Sequence, residues 1–291
     1  MSLAETILQS TTKLPPFPMV IQRAIQLIDD PNSSAQQVVD VLQFDQAITA
    51  NVLKICNSAF FGLRRTIHSL KEAVVMMGFN PLLEIVLSQE SLRFFSAPCQ
   101  GYDLDSGELW RHSVACALLT GIISPRIHRE TTPTLFTAAL LHDIGKVALS
   151  GFVKDYFESI KQRVNEKQLS FVEAEKEVLG VDHAELGGRI AADWNMPENI
   201  VAAIRYHHDP SETSDHQEIV QLTCLCDLVA IITGIGGGAD GLTYHAHQEL
   251  MKQYHLKETD VERFIVQLDD RFQAVKETLN LKGSVSPRGS S

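Results

Sequence analysis

Ala138-Ala139-Leu140-Leu141-His142-Asp143-Ile144-Gly145-Lys146 carries an apolar helix straight into an imidazole, a carboxylate and a glycine. A helix of Ala and Leu belongs in an interior. An interior imidazole beside an interior carboxylate is costly unless both are hydrogen-bonded, paired or bound to a cation. The two side chains could instead cap the helix and bond each other, so the dipeptide alone leaves both readings open.

Working outward, the flanking sequence is helical in both directions. Few segments alternate apolar and polar residues, whereas helical spacing recurs throughout. Val20, Ile21, Ala24, Ile25, Leu27 and Ile28 form one apolar stripe, entered through the prolines of Leu14-Pro15-Pro16-Phe17-Pro18. Asp29-Asp30-Pro31-Asn32-Ser33-Ser34 stops that helix and caps the next. Further helices are expected at 35–44, 48–57, 69–77 and 81–94, then at 107–123, 132–141, 153–165, 170–179, 183–194, 197–207 and 218–232. The fold class is therefore all-α. Ser96-Ala97-Pro98 and Gly101 suggest a division between an N-terminal helical bundle (1–100) and a second helical domain (101–235) packed on it. A glycine-rich loop with two closing helices (236–282) and a disordered tail (283–291) would follow. The loop lacks the Gly-Lys-Ser/Thr ending of a phosphate-binding loop.

Several polar residues repeat the oddity of His142-Asp143. Asp227 lies within an apolar run from Leu222 to Ile232, with no Lys or Arg at helical spacing to pair with it. His207 and His208 end one apolar helix, and His183 opens another. Glu108 and His112 stand at i and i+4, so both emerge from one helix face. Each of these alone reads as a satisfied core or surface residue. Together they are acids and imidazoles set at the ends or faces of separate helices, which is how helical proteins assemble a carboxylate/histidine metal site.

Composition narrows the function classes. The net charge of −11 opposes a phosphate-neutralising surface, so nucleic acid is not the expected partner, although a local basic pocket is compatible with it. The first twenty residues show no secretory pattern, and no uninterrupted apolar run reaches the roughly 18–20 residues of a membrane span. The chain reads as cytoplasmic. Its five cysteines, with no Cys-x-x-Cys pair, fit small buried hydrophobes of a reducing compartment.

The series Glu108, His112, His142-Asp143, His183, His207-His208 and Asp227 resembles the ligand order of the HD superfamily of metal-dependent phosphohydrolases, including its HD-GYP branch. The resemblance implies a core quartet of His112, His142, Asp143 and Asp227. It implies a second ion held by His183, His207 and His208 with Asp143 bridging, and a further ligand in Glu108. Lys146 falls where the superfamily places a lysine beside the phosphate. After His207-His208, however, the chain reads Asp209-Pro210-Ser211-Glu212 instead of the Gly-Tyr-Pro signature.

The N-terminal half resembles the HDOD pattern. It does so through Leu14-Pro15-Pro16-Phe17-Pro18, Phe44-Asp45-Gln46-Ala47-Ile48, Asn57-Ser58-Ala59-Phe60-Phe61-Gly62, Ile67-His68-Ser69-Leu70 and Met77-Gly78. Gln46 stands where the family usually has proline, and Met77 where it has leucine. Read without the family, Asn57 and Ser58 satisfy backbone at a helix end, Phe60 and Phe61 fill a seam, and Arg64 and Arg65 are solvated. The resemblance implies a bacterial signal-transduction or regulatory protein with an HD-type metal site. The alternative is an active phosphohydrolase or phosphodiesterase acting on a nucleotide or cyclic dinucleotide, with Asp143 and Lys146 as catalytic residues. Two divalent ions are expected, iron or manganese before zinc. A pair about 3.5–4 Å apart would generate a bridging hydroxide and clamp a phosphoryl group. The expected partners are a signalling protein and a phosphorylated small molecule.

Overall fold

The computed structural model describes residues 3–10, 14, 17–57, 66–130, 132–235 and 247–279. Pro15, Pro16, most of the Asn-Ser-Ala-Phe-Phe-Gly segment, Arg64, Arg65, the glycine loop after Ile235 and the expected tail lie outside the described residues. Among those described there is no strand, only an isolated bridge between Cys99 and Leu104.

The N-terminal helices are α1 (Leu3–Ser10), α2 (Met19–Asp29), α3 (Ala35–Leu42), α4 (Gln46–Cys56), α5 (Leu70–Met77) and α6 (Phe79–Phe95). Their ends follow from side chains. Ser34 and Gln37 form a capping box for α3, Asp45 accepts from the first amides of α4, and Ser69 caps α5. At the end of α4 the Asn57 amide acts as a peptide mimic. Its Nδ2 donates to the Ile67 carbonyl at 2.8 Å, and its Oδ1 accepts from the Ile67 N–H at 2.7 Å.

After a single 3₁₀ turn (Gln100–Tyr102) come α7 (Glu108–Arg126), α8 (Pro133–Leu141), α9 (Ile144–Asp155), α10 (Phe157–Lys167), α11 (Phe171–Leu179), α12 (His183–Asp193), α13 (Glu198–Tyr206) and α14 (Gln217–Ile232). Then α15 (His247–Gln253) and α16 (Glu258–Thr278) close the described chain. The segment 144–152, which sequence spacing leaves without a helix, is the body of α9. Gly145 is what admits the helix. A Cβ there would overlap the His183 carbonyl, so only glycine lets α9 run against α12.

The apolar core is continuous from Ile7 to Phe272 and crosses residues 96–106 without a gap. Phe17, Phe94 and Trp194 stack with centroids 5.0–5.4 Å apart, welding the N-terminal helices to the end of α12. α16 lies on α7, held by the Arg126 guanidinium on Asp260 at 2.8 and 2.9 Å. The stretch Pro133–Asp155 is long and apolar enough to cross a membrane by length and composition, but 72% of its most apolar window is buried in the fold. It is also two helices, interrupted at His142-Asp143.

Candidate metal centre

Five segments deliver the site. His112 projects from the first turns of α7, and α8 ends so that His142 and Asp143 fall in the break before α9. Asp182 caps α12 by accepting from the Glu185 N–H at 2.7 Å, which fixes His183 as the first residue of that helix. α13 stops at Tyr206, leaving His207 and His208 in the turn that follows. Asp227 stands in the middle of α14.

The side chains converge. His112 Nε2 lies 2.9 Å from Asp227 Oδ1 and 3.6 Å from Asp143 Oδ2, while His142 Nε2 lies 3.7 and 3.4 Å from the same two atoms. On the other side of Asp143, Oδ1 is 3.5 Å from His183 Nε2 and 3.8 Å from His207 Nε2. His183 Nε2 and His208 Nε2 face each other at 2.8 Å.

The outward ring nitrogens explain why the inward ones point in. Nδ1–H donates to a backbone carbonyl in three cases: His112 to Ile235 (2.9 Å), His142 to Ala139 (2.7 Å) and His207 to Ile204 (2.8 Å). In His183 the acceptor is Glu175 Oε2 at 2.8 Å, which also takes the His183 backbone N–H at 3.0 Å. An acceptor on Nδ1 fixes the tautomer and leaves the Nε2 lone pair inward, as metal-binding imidazoles require.

Three buried polar atoms at the centre, His142 Nε2, His207 Nε2 and Asp143 Oδ1, have no hydrogen-bond partner. Such atoms cost roughly 1–3 kcal/mol each when left bare, and a cation among them would satisfy all three. The donor sets agree. His112, Cys116, His142 and Asp227 form one group that could hold a metal, His183, His207 and His208 a second, and His142, Asp143 and His207 a third.

Electrostatics divides the imidazoles. Burial opposes charge on all of them, yet Asp143 and Asp227 push His142 up to about 10. Burial and the neighbouring His142 charge bring His207 down to about 3. Burial also works against Asp143, but Lys146 and His142 hold its carboxyl well below the usual range.

Most residues singled out from sequence meet here, and one does not. The Glu108 carboxylate accepts from the Asp105 N–H at 2.6 Å and joins none of the ligating groups. It sits at the start of α7, where its carboxylate closes back on the chain just ahead of the helix, apart from the groups above. Lys146 is buried with Nζ 2.7 Å from Asp143 Oδ2 and 5.6 Å from the Tyr102 ring centre. Sequence reasoning missed Glu175, whose partner is eight residues away across a turn, and treated Cys116 as a core hydrophobe, although its i+4 spacing from His112 was a usable signal.

The HDOD domain family matches residues 14–210. The chain belongs to the HDOD family. An HDOD domain protein of Geobacter sulfurreducens is 25% identical and superposes with a TM-score of 0.68 over 95% of this chain and 98% of its own. A candidate phosphohydrolase of Shewanella amazonensis SB2B, 19% identical, shares the fold with a TM-score of 0.61 over 95% of this HDOD chain and 98% of its own. An uncharacterized protein of Treponema pallidum (strain Nichols) is 22% identical over 228 residues, which is 78% of this chain. The chain spans 44% of that relative's length.

Proposed function

We propose that this HDOD protein is a regulatory element of bacterial signalling, built round a divalent metal centre enclosed in its second half. The carrying observation is a full donor set combined with closure. His142, His183 and His207 have no exposed surface, and His112, Asp143 and Asp227 are at most 3% exposed. A centre sealed in this way suits an ion that sets the relation between helices better than one that must meet a passing substrate.

The residues fit two ions. Asp143 turns Oδ2 to His112 and His142 and Oδ1 to His183 and His207, so a single carboxylate serves both sides. When bound, the metals supply concentrated positive charge and Lewis acidity. Iron or manganese suits the mixed imidazole and carboxylate donors, with zinc the alternative. The Ile235 carbonyl orients His112, Glu175 orients His183, and Lys146 balances Asp143. The net charge of −11 favours a protein partner in the cytoplasm over nucleic acid.

A second reading, a metal-dependent phosphohydrolase, is favoured by one feature. A cavity of about 660 Å³ reaches His208, the ligating residue with partial exposure, and is also lined by Lys176 and Arg205. A phosphorylated small molecule or cyclic dinucleotide entering there would meet His208 first. The test is metal analysis of the purified chain beside a turnover screen of cyclic dinucleotides, nucleotides and a generic phosphodiester. Bound metal without turnover supports regulation. Sustained metal-dependent turnover replaces it with the hydrolase, and failure to bind any divalent metal ends both readings.

A further inference from the structure

One turn after His112, the same face of α7 carries Cys116. Its thiol is fully buried and its Sγ lies 3.6 Å from His112 Nε2. Donor atoms of Cys116, His112, His142 and Asp227 all lie within 4.8 Å of one another. These separations can be compared with those of a closed tetrahedral site. With metal–sulfur bonds of about 2.3 Å and metal–nitrogen bonds of about 2.0–2.1 Å, a sulfur and a nitrogen ligand stand about 3.5 Å apart, and a nitrogen and an oxygen about 3.3 Å. The S–N distance here is 3.6 Å, and the N–O distances of His112 and His142 to Asp227 Oδ1, 2.9 and 3.7 Å, bracket the second figure. Independently, the fully buried His142 Nε2 has no partner and is aimed at this same group. Cys224 and Cys226 are as deeply buried on α14 but belong to no such group, so burial alone does not explain the placement of Cys116.

We propose that Cys116 is a thiolate ligand, joining His112, His142, Asp227 and the shared Asp143 carboxylate in a site for zinc or a zinc-like ion. On binding, the thiol proton leaves to water and the Sγ lone pair takes its place on the metal, so no oxidant or reductant is needed. The inference rests on reading the cluster as a metal centre and sharpens it. One position is soft and zinc-selecting, whereas the position served by His183, His207, His208 and Asp143 has only imidazole and carboxylate donors, which suit iron or manganese.

The test loads the metal-stripped, reduced full chain with cobalt(II) under anaerobic conditions and reads its absorption. A near-ultraviolet sulfur-to-cobalt charge-transfer band beside the visible d–d bands is expected. Cys116→Ser should abolish the charge-transfer band while leaving visible bands from cobalt on the remaining donors, and should weaken zinc binding by at least about tenfold. Cys224→Ala should leave both band sets intact. Should Cys116→Ser fail to fold, X-ray absorption of the zinc-loaded wild type answers without a variant, through a sulfur scatterer at about 2.3 Å. Visible bands with no sulfur signature in the wild type would overturn the role of Cys116 and leave the metal centre standing. The absence of any cobalt binding would overturn both.

Discussion

At the end of α4, Asn57 commits both ends of its amide to Ile67. At the end of α8, His142 commits one nitrogen to the Ala139 carbonyl and keeps the other bare among two carboxylates. Both are polar residues at a helix C-terminus next to apolar helices, and side-chain type does not separate their roles. Completeness does. A buried group whose hydrogen bonds are all made is architecture, while a buried group held firmly on one side and left open on the other is prepared for something the chain does not itself provide.

Removing Asp143 should strain this contrast most. Asp143→Ala leaves Lys146 and several imidazoles without their shared counter-charge, a loss of about 3–5 kcal/mol for a broken buried pair. That corresponds to a fall in melting temperature of roughly 6–20 °C for a chain of this size, with loss of bound metal. His208→Ala, at a partly exposed position, should lose less of both when the two proteins come from the same metal-supplemented culture. Equal losses would show that Asp143 is not the shared carboxylate.

Glu175→Gln tests the outer side of the site. The amide keeps the shape but not the charge behind His183, and metal affinity should fall 10–100-fold, read by chelator competition, with a smaller change in melting temperature. An unchanged affinity would reduce Glu175 to a turn-closing residue. On the architectural side, Asn57→Ala should cost about 1–3 kcal/mol by stranding the Ile67 backbone groups, with metal content unchanged. If metal is lost as well, the two halves do not separate as the contrast requires.

The smallest expected effect concerns pH. The Arg126 side chain and the Lys257 N–H hold the Asp260 carboxyl below its ordinary range. A depressed carboxyl contributes stability that is present above the unfolded pKa, near 4, and fades as pH falls through the lower folded value. The melting temperatures of the wild type and Asp260→Asn should therefore differ at pH 6 and draw together as pH falls below the ordinary carboxyl range. Because Arg126 is 41% exposed, solvent keeps the difference small.

The helical class was legible in the spacing, and His142-Asp143 and Asp227 stood out because they interrupt apolar runs, whereas the grouping of His112 with them came from the family resemblance. What was not legible involves partners that one-dimensional spacing cannot pair. Glu108 shares a face with His112 by spacing, but the Asp105 N–H just ahead of α7 takes its carboxylate. Adjacent residues on a continuing helix point about 100° apart, so spacing alone does not bring His207 and His208 to one point. Because α13 stops at Tyr206, both reach the centre. α9 was hidden by Gly145, whose meaning as a contact point depends on α12, a helix still nearly forty residues ahead.

That contact has a consequence for how the centre tolerates change. At Gly145 the main chain of α9 meets the main chain of α12 at His183, so there the segments bearing His142-Asp143 and His183 touch through peptide groups. The spacing between the two halves of the centre is thus gauged by backbone dimensions, which substitution elsewhere leaves alone. Core residues can drift in size over evolutionary time without retuning the gauge. A single methyl group at residue 145 would force it open.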